Sequence, residues 1–269
     1  MEDDFHLVTV ATHSQSYFPS LQKSCERNRM ALQVLGWNTP WKGFLYKYEL
    51  MLEYVQNIPP HDIVMYIDAF DVVILSGQQE IVEKYKRLGD GKIVFGCVPK
   101  RSAIAKWFHD IVFGPCDLNS GVFVGRAHAM KELLQKAMRV AQAIHCSDDQ
   151  IVMTFLYESA PHHHHIILDL ESQLAFNCLS KNPTQFQFQN DRVVLDKSQP
   201  CVLHGPAHIN LNPILEQIHL PTIPRTFRDQ LQYLKYSGAM TFVKSEDGQA
   251  AVWVLVLIGL IVLVIVKGK

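Results

Sequence analysis

Short apolar runs rich in β-branched residues alternate along the chain with segments whose apolar residues recur every three or four positions. The first pattern is typical of buried strands and the second of amphipathic helices. The first pattern predicts strands at residues 7–12, 63–67, 72–75, 92–97 and 121–125, with strand character returning over 191–204. The second pattern predicts helices at residues 24–35, 46–55, 79–88, 127–144 and 149–157. This alternation favours an α/β domain in which helices cover both faces of a mainly parallel sheet.

A different apolar run lies near the end of the sequence. Residues 250–266 read AAVWVLVLIGLIVLVIV and carry no charge. In a helix they would extend roughly 25 Å, the lower limit for crossing a hydrocarbon core. A buried core segment is the alternative, but only three residues follow to cover it. We therefore expect a folded domain over 1–235, a linker over 236–249 and a single C-terminal transmembrane helix over 250–266.

The orientation of that predicted anchor rests on the flanking charges. Lysines before the apolar run balance those after it, so the positive-inside rule favours neither side. The N-terminal sequence lacks the basic region and the long apolar run of a signal peptide. We therefore expect a membrane protein whose catalytic domain faces the cytosol.

Composition narrows the class of protein. The chain has 25 Lys and Arg against 26 Asp and Glu, which gives a net charge of −1 and no general attraction for nucleic acid. Apolar residues make up 48 % and charged residues 19 %, so a disordered chain is excluded. The six cysteines form no C-x-x-C pair and are expected to be reduced thiols. Four histidines at 162–165 are expected to lie in an exposed loop.

Two carboxylates follow the apolar run at 63–67. Asp68 and Asp71 would stand at the carboxyl end of a buried strand, where α/β folds bind their ligands. Two unpaired carboxylates there would repel each other, and Mg²⁺ or Mn²⁺ would remove that penalty. The alternative is that Asp68 caps a turn and Asp71 is solvated. The pair by itself is therefore a candidate metal site.

Two further segments carry candidate ligand-binding groups. In one, Asn119 and Ser120 offer hydrogen bonds and Gly121 permits close approach of a ligand, in what the pattern predicts to be a loop entering a strand. In the other, a predicted strand closes in a His204-Gly205 turn. Its imidazole is a candidate third metal ligand, although a lone histidine also serves as a structural hydrogen-bonding group.

A pair of adjacent carboxylates precedes the last predicted helix. Asp148 and Asp149 follow Ser147, and either Ser147 or Asp148 would cap the helix N-terminus. Capping requires only one side chain. The second carboxylate is therefore free to face a ligand.

The order of these motifs resembles the glycosyltransferase domain of the multifunctional procollagen lysyl hydroxylases over about residues 5–215. The resemblance is carried by Val8–Thr12, Trp41–Gly43, Ile67–Asp71, Leu118–Gly121, Asp148–Gln150 and Leu203–Gly205. Two positions depart from that family. His204-Gly205 runs directly into Pro206, where the family has a longer glycine-rich turn, and Val98 stands where an aromatic residue is expected over the donor.

The resemblance implies a GT-A-like fold, a Rossmann-like mixed sheet flanked by helices. It further implies a UDP-sugar donor and Mn²⁺, or Mg²⁺, as the cofactor. By the same resemblance the metal ligands are Asp68, Asp71 and His204, and the donor-binding residues are Thr9, Thr12, Lys47, Asn119 and Gly121. The residues beside the transferred sugar are Asp148 and Asp149.

The implied reaction moves a hexose from a UDP-sugar to a hydroxyl acceptor, such as hydroxylysine or galactosyl-hydroxylysine of a collagen-like protein. Asp149 is the candidate base of an inverting enzyme, or the group that stabilises an oxocarbenium-like sugar in a retaining one, and the resemblance favours retention. Two other hypotheses use the same residues. One is a membrane-tethered nucleotide-sugar or glycan-binding module without turnover, and the other is a metal-dependent UDP-sugar hydrolase.

Overall fold

The computed structural model describes residues 3–98, 117–159, 165–178, 186–195, 198–206 and 209–225. The predicted linker at 236–249 and the predicted membrane span at 250–266 lie outside these ranges. Within them, no helix combines the length and the apolar character needed to cross a bilayer. The five cysteines that they include all have free thiols, as expected.

A mixed sheet forms the centre of the domain. Nine strands of the described ranges belong to it, in the order β2-β1-β3-β6-β5-β8-β11-β4, with β7 beside β5. A separate antiparallel pair is formed by β9 and β10. The strands are β1 Phe5–Val10, β2 Leu32–Leu35, β3 Ile63–Ile67, β4 Val72–Ile74, β5 Ile93–Cys97, β6 Leu118–Arg126, β7 Ile166–Leu168, β8 Ala175–Asn177, β9 Gln187–Gln189, β10 Arg192–Val194 and β11 Val202–His204.

Helices cover both faces of this sheet. They are α1 Phe18–Arg27, α2 Tyr46–Gln56, α3 Gln78–Gly89, α4 Ala127–Ala143, α5 Asp149–Glu158 and α6 Asn212–Gln217. Side chains alternate along a strand, so Tyr66 of β3 joins the core beneath α2, α4 and α5. Its neighbour Met65 joins the core beneath α1 and α3. The fully apolar strands of the sequence are thus buried on two sides.

The predicted α/β class and the mixed sheet flanked by helices are confirmed, but the pattern, which favoured a mainly parallel sheet, did not show which strands run antiparallel. Strand β1 runs parallel to β2 and β3, whereas β6 is antiparallel to both β3 and β5. An apolar strand has the same composition in either direction when both of its faces are buried. The direction of β6 is therefore set by its position in the sheet.

Three predicted elements need correction. The predicted helix at 24–35 is wrong in its second half, because α1 ends at Arg27, Arg29 adopts φ +54° and β2 pairs with β1. The loop predicted at Asn119–Gly121 is the start of β6. The strand character over 191–204 divides between β10 and β11, which belong to different sheets. In each case, pairing with another strand decides the local conformation.

Two backbone hydrogen bonds bring the ends of neighbouring strands together. The Asp68 N–H, just after β3, donates to the Gly121 carbonyl of β6 over 2.8 Å. The Gly205 N–H, just after β11, donates to the Asp71 carbonyl over 2.7 Å. The carboxyl ends of β3 and β11 therefore meet at one edge of the sheet.

Candidate metal and donor site

Asp68, Asp71 and His204 converge at this edge, with one ligand atom of each within 4.8 Å of the others. His204 Nε2 lies 3.4 Å from Asp71 Oδ1 and 3.9 Å from Asp68 Oδ2. Among the described residues, both ring nitrogens of His204 and Asp71 Oδ1 are buried without a hydrogen-bond partner. Buried polar atoms normally have hydrogen-bond partners, so the atoms that lack one in this cluster indicate a site for a ligand.

Gly121 keeps the space between these groups open. A Cβ at this position would lie 2.3 Å from His204 Cε1 and 2.6 Å from Asp68 Oδ2, closer than atoms can pack. Two carboxylates and an imidazole form a donor set that suits Mn²⁺ and also serves Mg²⁺. The three residues therefore fit the divalent cation that the sequence implies.

The charges of the cluster also favour a cation. Burial raises the pKa of Asp68, and although Lys47 opposes this effect, the nearby charge of Asp71 adds to it. Burial by itself would lower the pKa of His204, but the carboxylates of Asp71 and Asp68 outweigh it and raise that pKa. A divalent cation would stabilise both carboxylates in their charged form.

Lys47 connects this cluster to a second carboxylate. It lies on the first turn of α2, its side chain is 7 % exposed, and its ammonium is 3.4 Å from Asp68 Oδ1. The same ammonium forms an ion pair with Asp149 Oδ2. Burial disfavours the charged form, but Asp68 and Asp149 hold the pKa of Lys47 above its ordinary value. Lys47 is therefore a buried, permanent positive charge.

The adjacent carboxylates Asp148 and Asp149 have different surroundings. Asp148 is the N-cap of α5, and its Oδ1 accepts from the Ile151 N–H over 3.0 Å. Asp149 is buried, and its Oδ2 accepts from the Ser120 hydroxyl over 2.8 Å. One residue of the pair caps the helix and the other faces inward, as the motif indicated. A contact of Asp148 with the sugar stays a prediction.

The remaining predicted donor-binding residues lie on β1, just after it, and on β6. The buried Thr9 hydroxyl donates to the Ile67 carbonyl over 2.8 Å, so it is engaged within the sheet. Thr12 Oγ1 lies 2.9 Å from His13 Nδ1. Asn119 Oδ1 accepts from the Gly121 N–H over 3.2 Å. Contacts of the two threonines with uridine, and of Asn119 with the donor, stay predictions.

Sequence reasoning assigned no role to two residues that shape the site. Tyr66 donates its hydroxyl to Asp68 Oδ1 over 2.8 Å, but within an apolar strand it reads as an ordinary core residue. Gln150 accepts from the Ser120 N–H and donates to the Leu118 carbonyl, which joins α5 to β6. The sequence did hold a clue to Tyr66, which stands two residues before Asp68. Alternate residues of an extended chain lie on the same side, so their side chains can meet.

The match to known families agrees with this arrangement. The PLOD GT domain family matches residues 1–219, which include all the predicted site residues. This chain belongs to that family. The resemblance stated from the motif order is thus confirmed.

Relatives of this PLOD GT domain are larger proteins. It is 27 % identical over 234 residues to procollagen-lysine,2-oxoglutarate 5-dioxygenase 1 of Gallus gallus. This match covers 78 % of this chain and 31 % of that protein. It is 24 % identical over 231 residues to a multifunctional procollagen lysine hydroxylase and glycosyltransferase of Caenorhabditis elegans, with coverage of 77 % and 31 %. The chain thus spans about a third of the length of these curated relatives.

A solved structure shares the fold of this PLOD GT domain. A glycosyltransferase involved in the glycosylation of the major capsid of PBCV-1 matches with a TM-score of 0.50 at 10 % identity. The match covers 80 % of this chain and 97 % of the other. At this identity the likeness establishes the fold alone, which is the GT-A-type α/β architecture.

Proposed function

We propose that this PLOD GT domain is a metal-dependent glycosyltransferase that moves a hexose from a UDP-sugar to a hydroxyl acceptor. The observation that carries the proposal is the cluster of Asp68, Asp71 and His204, whose inward atoms lack hydrogen-bond partners among the described residues. Family membership supports the same activity. The acceptor class we propose is the hydroxylysine, or galactosyl-hydroxylysine, of a collagen-like protein, because relatives are named as procollagen lysine enzymes.

The chemical problem in this reaction is charge. Breaking the bond between the anomeric carbon and the diphosphate leaves additional negative charge on UDP. A divalent cation held by Asp68, Asp71 and His204 would supply positive charge at the diphosphate as that bond breaks. Such a charge would suit the site, because burial and the charge of Asp71 raise the pKa of Asp68 even though Lys47 opposes them.

Lys47 supports the reaction from the protein side. Its buried ammonium lies beside Asp68 Oδ1, whereas the other oxygen of Asp68 faces His204. The same ammonium pairs with Asp149. It therefore fixes the distance between the proposed metal site and the carboxylate proposed to face the sugar. A direct approach of Lys47 to the diphosphate would require it to loosen one of these contacts.

The surroundings of Asp149 favour one of its two candidate roles. Its Oδ2 accepts from the Ser120 hydroxyl and pairs with the Lys47 ammonium, so two donors already engage this oxygen. A general base has to approach the acceptor hydroxyl with a free oxygen, and these contacts oppose that at Oδ2. We therefore propose that Asp149 stabilises positive charge developing on the sugar, as a retaining reaction requires.

The test measures UDP release by the full chain from UDP-glucose and UDP-galactose, with Mn²⁺, and with and without a hydroxylysine-containing peptide. We expect release that requires Mn²⁺ and increases with the peptide. Release that is independent of the peptide would indicate the hydrolase, and UDP binding without release would indicate the binding module. Asp191→Asn is a suitable control, because Asp191 is exposed and its ion-pair partner is His219, which is not a site residue.

A further inference from the structure

Tyr66 is a buried neighbour of the metal cluster. It lies on β3, two residues before Asp68, and its side chain is 2 % exposed. Its hydroxyl donates to Asp68 Oδ1 over 2.8 Å. The ring packs against Phe123, with ring centroids 4.9 Å apart. The core therefore fixes the position from which this hydroxyl is donated.

The two oxygens of Asp68 have different surroundings. Oδ1 accepts from the Tyr66 hydroxyl and lies 3.4 Å from the Lys47 ammonium. Oδ2 lies on the opposite side, 3.9 Å from His204 Nε2 and next to the space that Gly121 leaves open. One oxygen is thus held by the protein, and the other faces the proposed cation.

Tyr66 is the closer of the two donors to Asp68 Oδ1. Lys47 stands farther from that oxygen and makes its shorter contact with Asp149. The orientation of the Asp68 carboxylate therefore depends chiefly on Tyr66.

We propose that Tyr66 is a positioning residue whose hydroxyl holds Asp68 Oδ1, so that the carboxylate presents Oδ2 alone to the divalent cation. This inference rests on the proposed function, because it assumes that the cluster binds a cation. Hydrogen-bond partners of metal ligands fix ligand orientation, and their loss typically weakens metal affinity about 10- to 100-fold. Without the hydroxyl, the carboxylate would be free to turn toward Lys47.

The test compares Mn²⁺ binding by the full chain, by Tyr66→Phe and by Tyr85→Phe, without nucleotide, from the EPR signal of free Mn²⁺. Tyr66→Phe removes one hydroxyl and keeps the ring that packs on Phe123. Tyr85→Phe is the matched control, because Tyr85 is also fully buried and its hydroxyl donates to the Lys92 carbonyl over 2.9 Å. Thermal unfolding of each metal-free protein measures the stability cost of losing a buried hydroxyl.

We expect Tyr66→Phe to weaken Mn²⁺ affinity by about tenfold, the lower end of the range for such partners. We expect Tyr85→Phe to change it less than twofold, although both variants lose some thermal stability. Equal Mn²⁺ affinity of Tyr66→Phe and the unaltered chain would overturn the inference and leave the proposed function standing. Failure of the unaltered chain to bind Mn²⁺ would overturn the proposed function and this inference with it.

Discussion

Lys47 of α2 and Asp149 of α5 form an ion pair in which the side chains are 7 % and 9 % exposed. Breaking a buried pair by removing one partner is costly, because the other charge is left without compensation. Here Asp68 also lies within reach of Lys47, and Ser120 also donates to Asp149. The pair therefore links the proposed metal cluster with the carboxylate that we assign to the sugar.

Removal of one metal ligand is the first test of the site. Asp71→Ala should abolish Mn²⁺-dependent UDP binding, because it removes an oxygen that faces the cluster and lacks a hydrogen-bond partner among the described residues. Isothermal titration with UDP and Mn²⁺ measures the loss, and circular dichroism checks that the domain stays folded. Asp191→Asn is the control with unchanged binding. Unchanged binding in Asp71→Ala would exclude this residue from the metal site.

Gly121 provides a steric test of the same cluster. Gly121→Ala should weaken Mn²⁺ binding by at least about tenfold, since the added Cβ would displace His204 and Asp68 from their present positions. The control is Gly77→Ala, where an added Cβ has only an ordinary contact at 3.6 Å. The EPR signal of free Mn²⁺ measures the Mn²⁺ affinity of both variants. If the two variants bind Mn²⁺ equally well, the open space beside Gly121 has no function in metal binding.

Asp149 is expected to act on the sugar and not on the metal. Asp149→Asn should lower turnover by at least about a hundredfold, the usual scale for losing one group that stabilises charge in the transition state, with UDP affinity nearly intact. The neutral amide cannot stabilise positive charge on the sugar and cannot balance Lys47. Steady-state rates and UDP titrations separate the two effects. A parallel loss of turnover and UDP affinity would instead place Asp149 among the metal ligands.

We propose a membrane anchor at residues 250–266, which lie outside the described residues. Each Leu, Ile or Val near the centre of such a segment favours insertion by about 0.3 to 0.6 kcal/mol. The protein without residues 250–269 should therefore stay in solution without detergent and should still bind UDP. Sedimentation without detergent measures this change. A full chain that remains a monodisperse monomer without detergent would contradict the anchor.

The elements that sequence predicted best are those whose apolar pattern is sustained. The predicted helix at 46–55 corresponds to α2, and the strand at 63–67 coincides with β3. The half of the predicted helix after Arg27 failed, because β2 is a short edge strand whose conformation depends on pairing with β1. Local propensity is a weak guide where a partner strand supplies the hydrogen bonds.

The sequence by itself determined the α/β class, the family resemblance and the identity of the polar residues at strand ends, since these follow from periodicity and motif order. Only the tertiary structure decided which of those residues meet. Asp68 and His204 come together because the carboxyl ends of β3 and β11 meet at one edge of the sheet. Lys47 likewise reaches Asp68 only through the folded structure, whereas Tyr66 stands two residues before Asp68 in the sequence. A pattern along the chain records which side of a strand a residue occupies, but the neighbour across that strand depends on how the whole sheet is assembled.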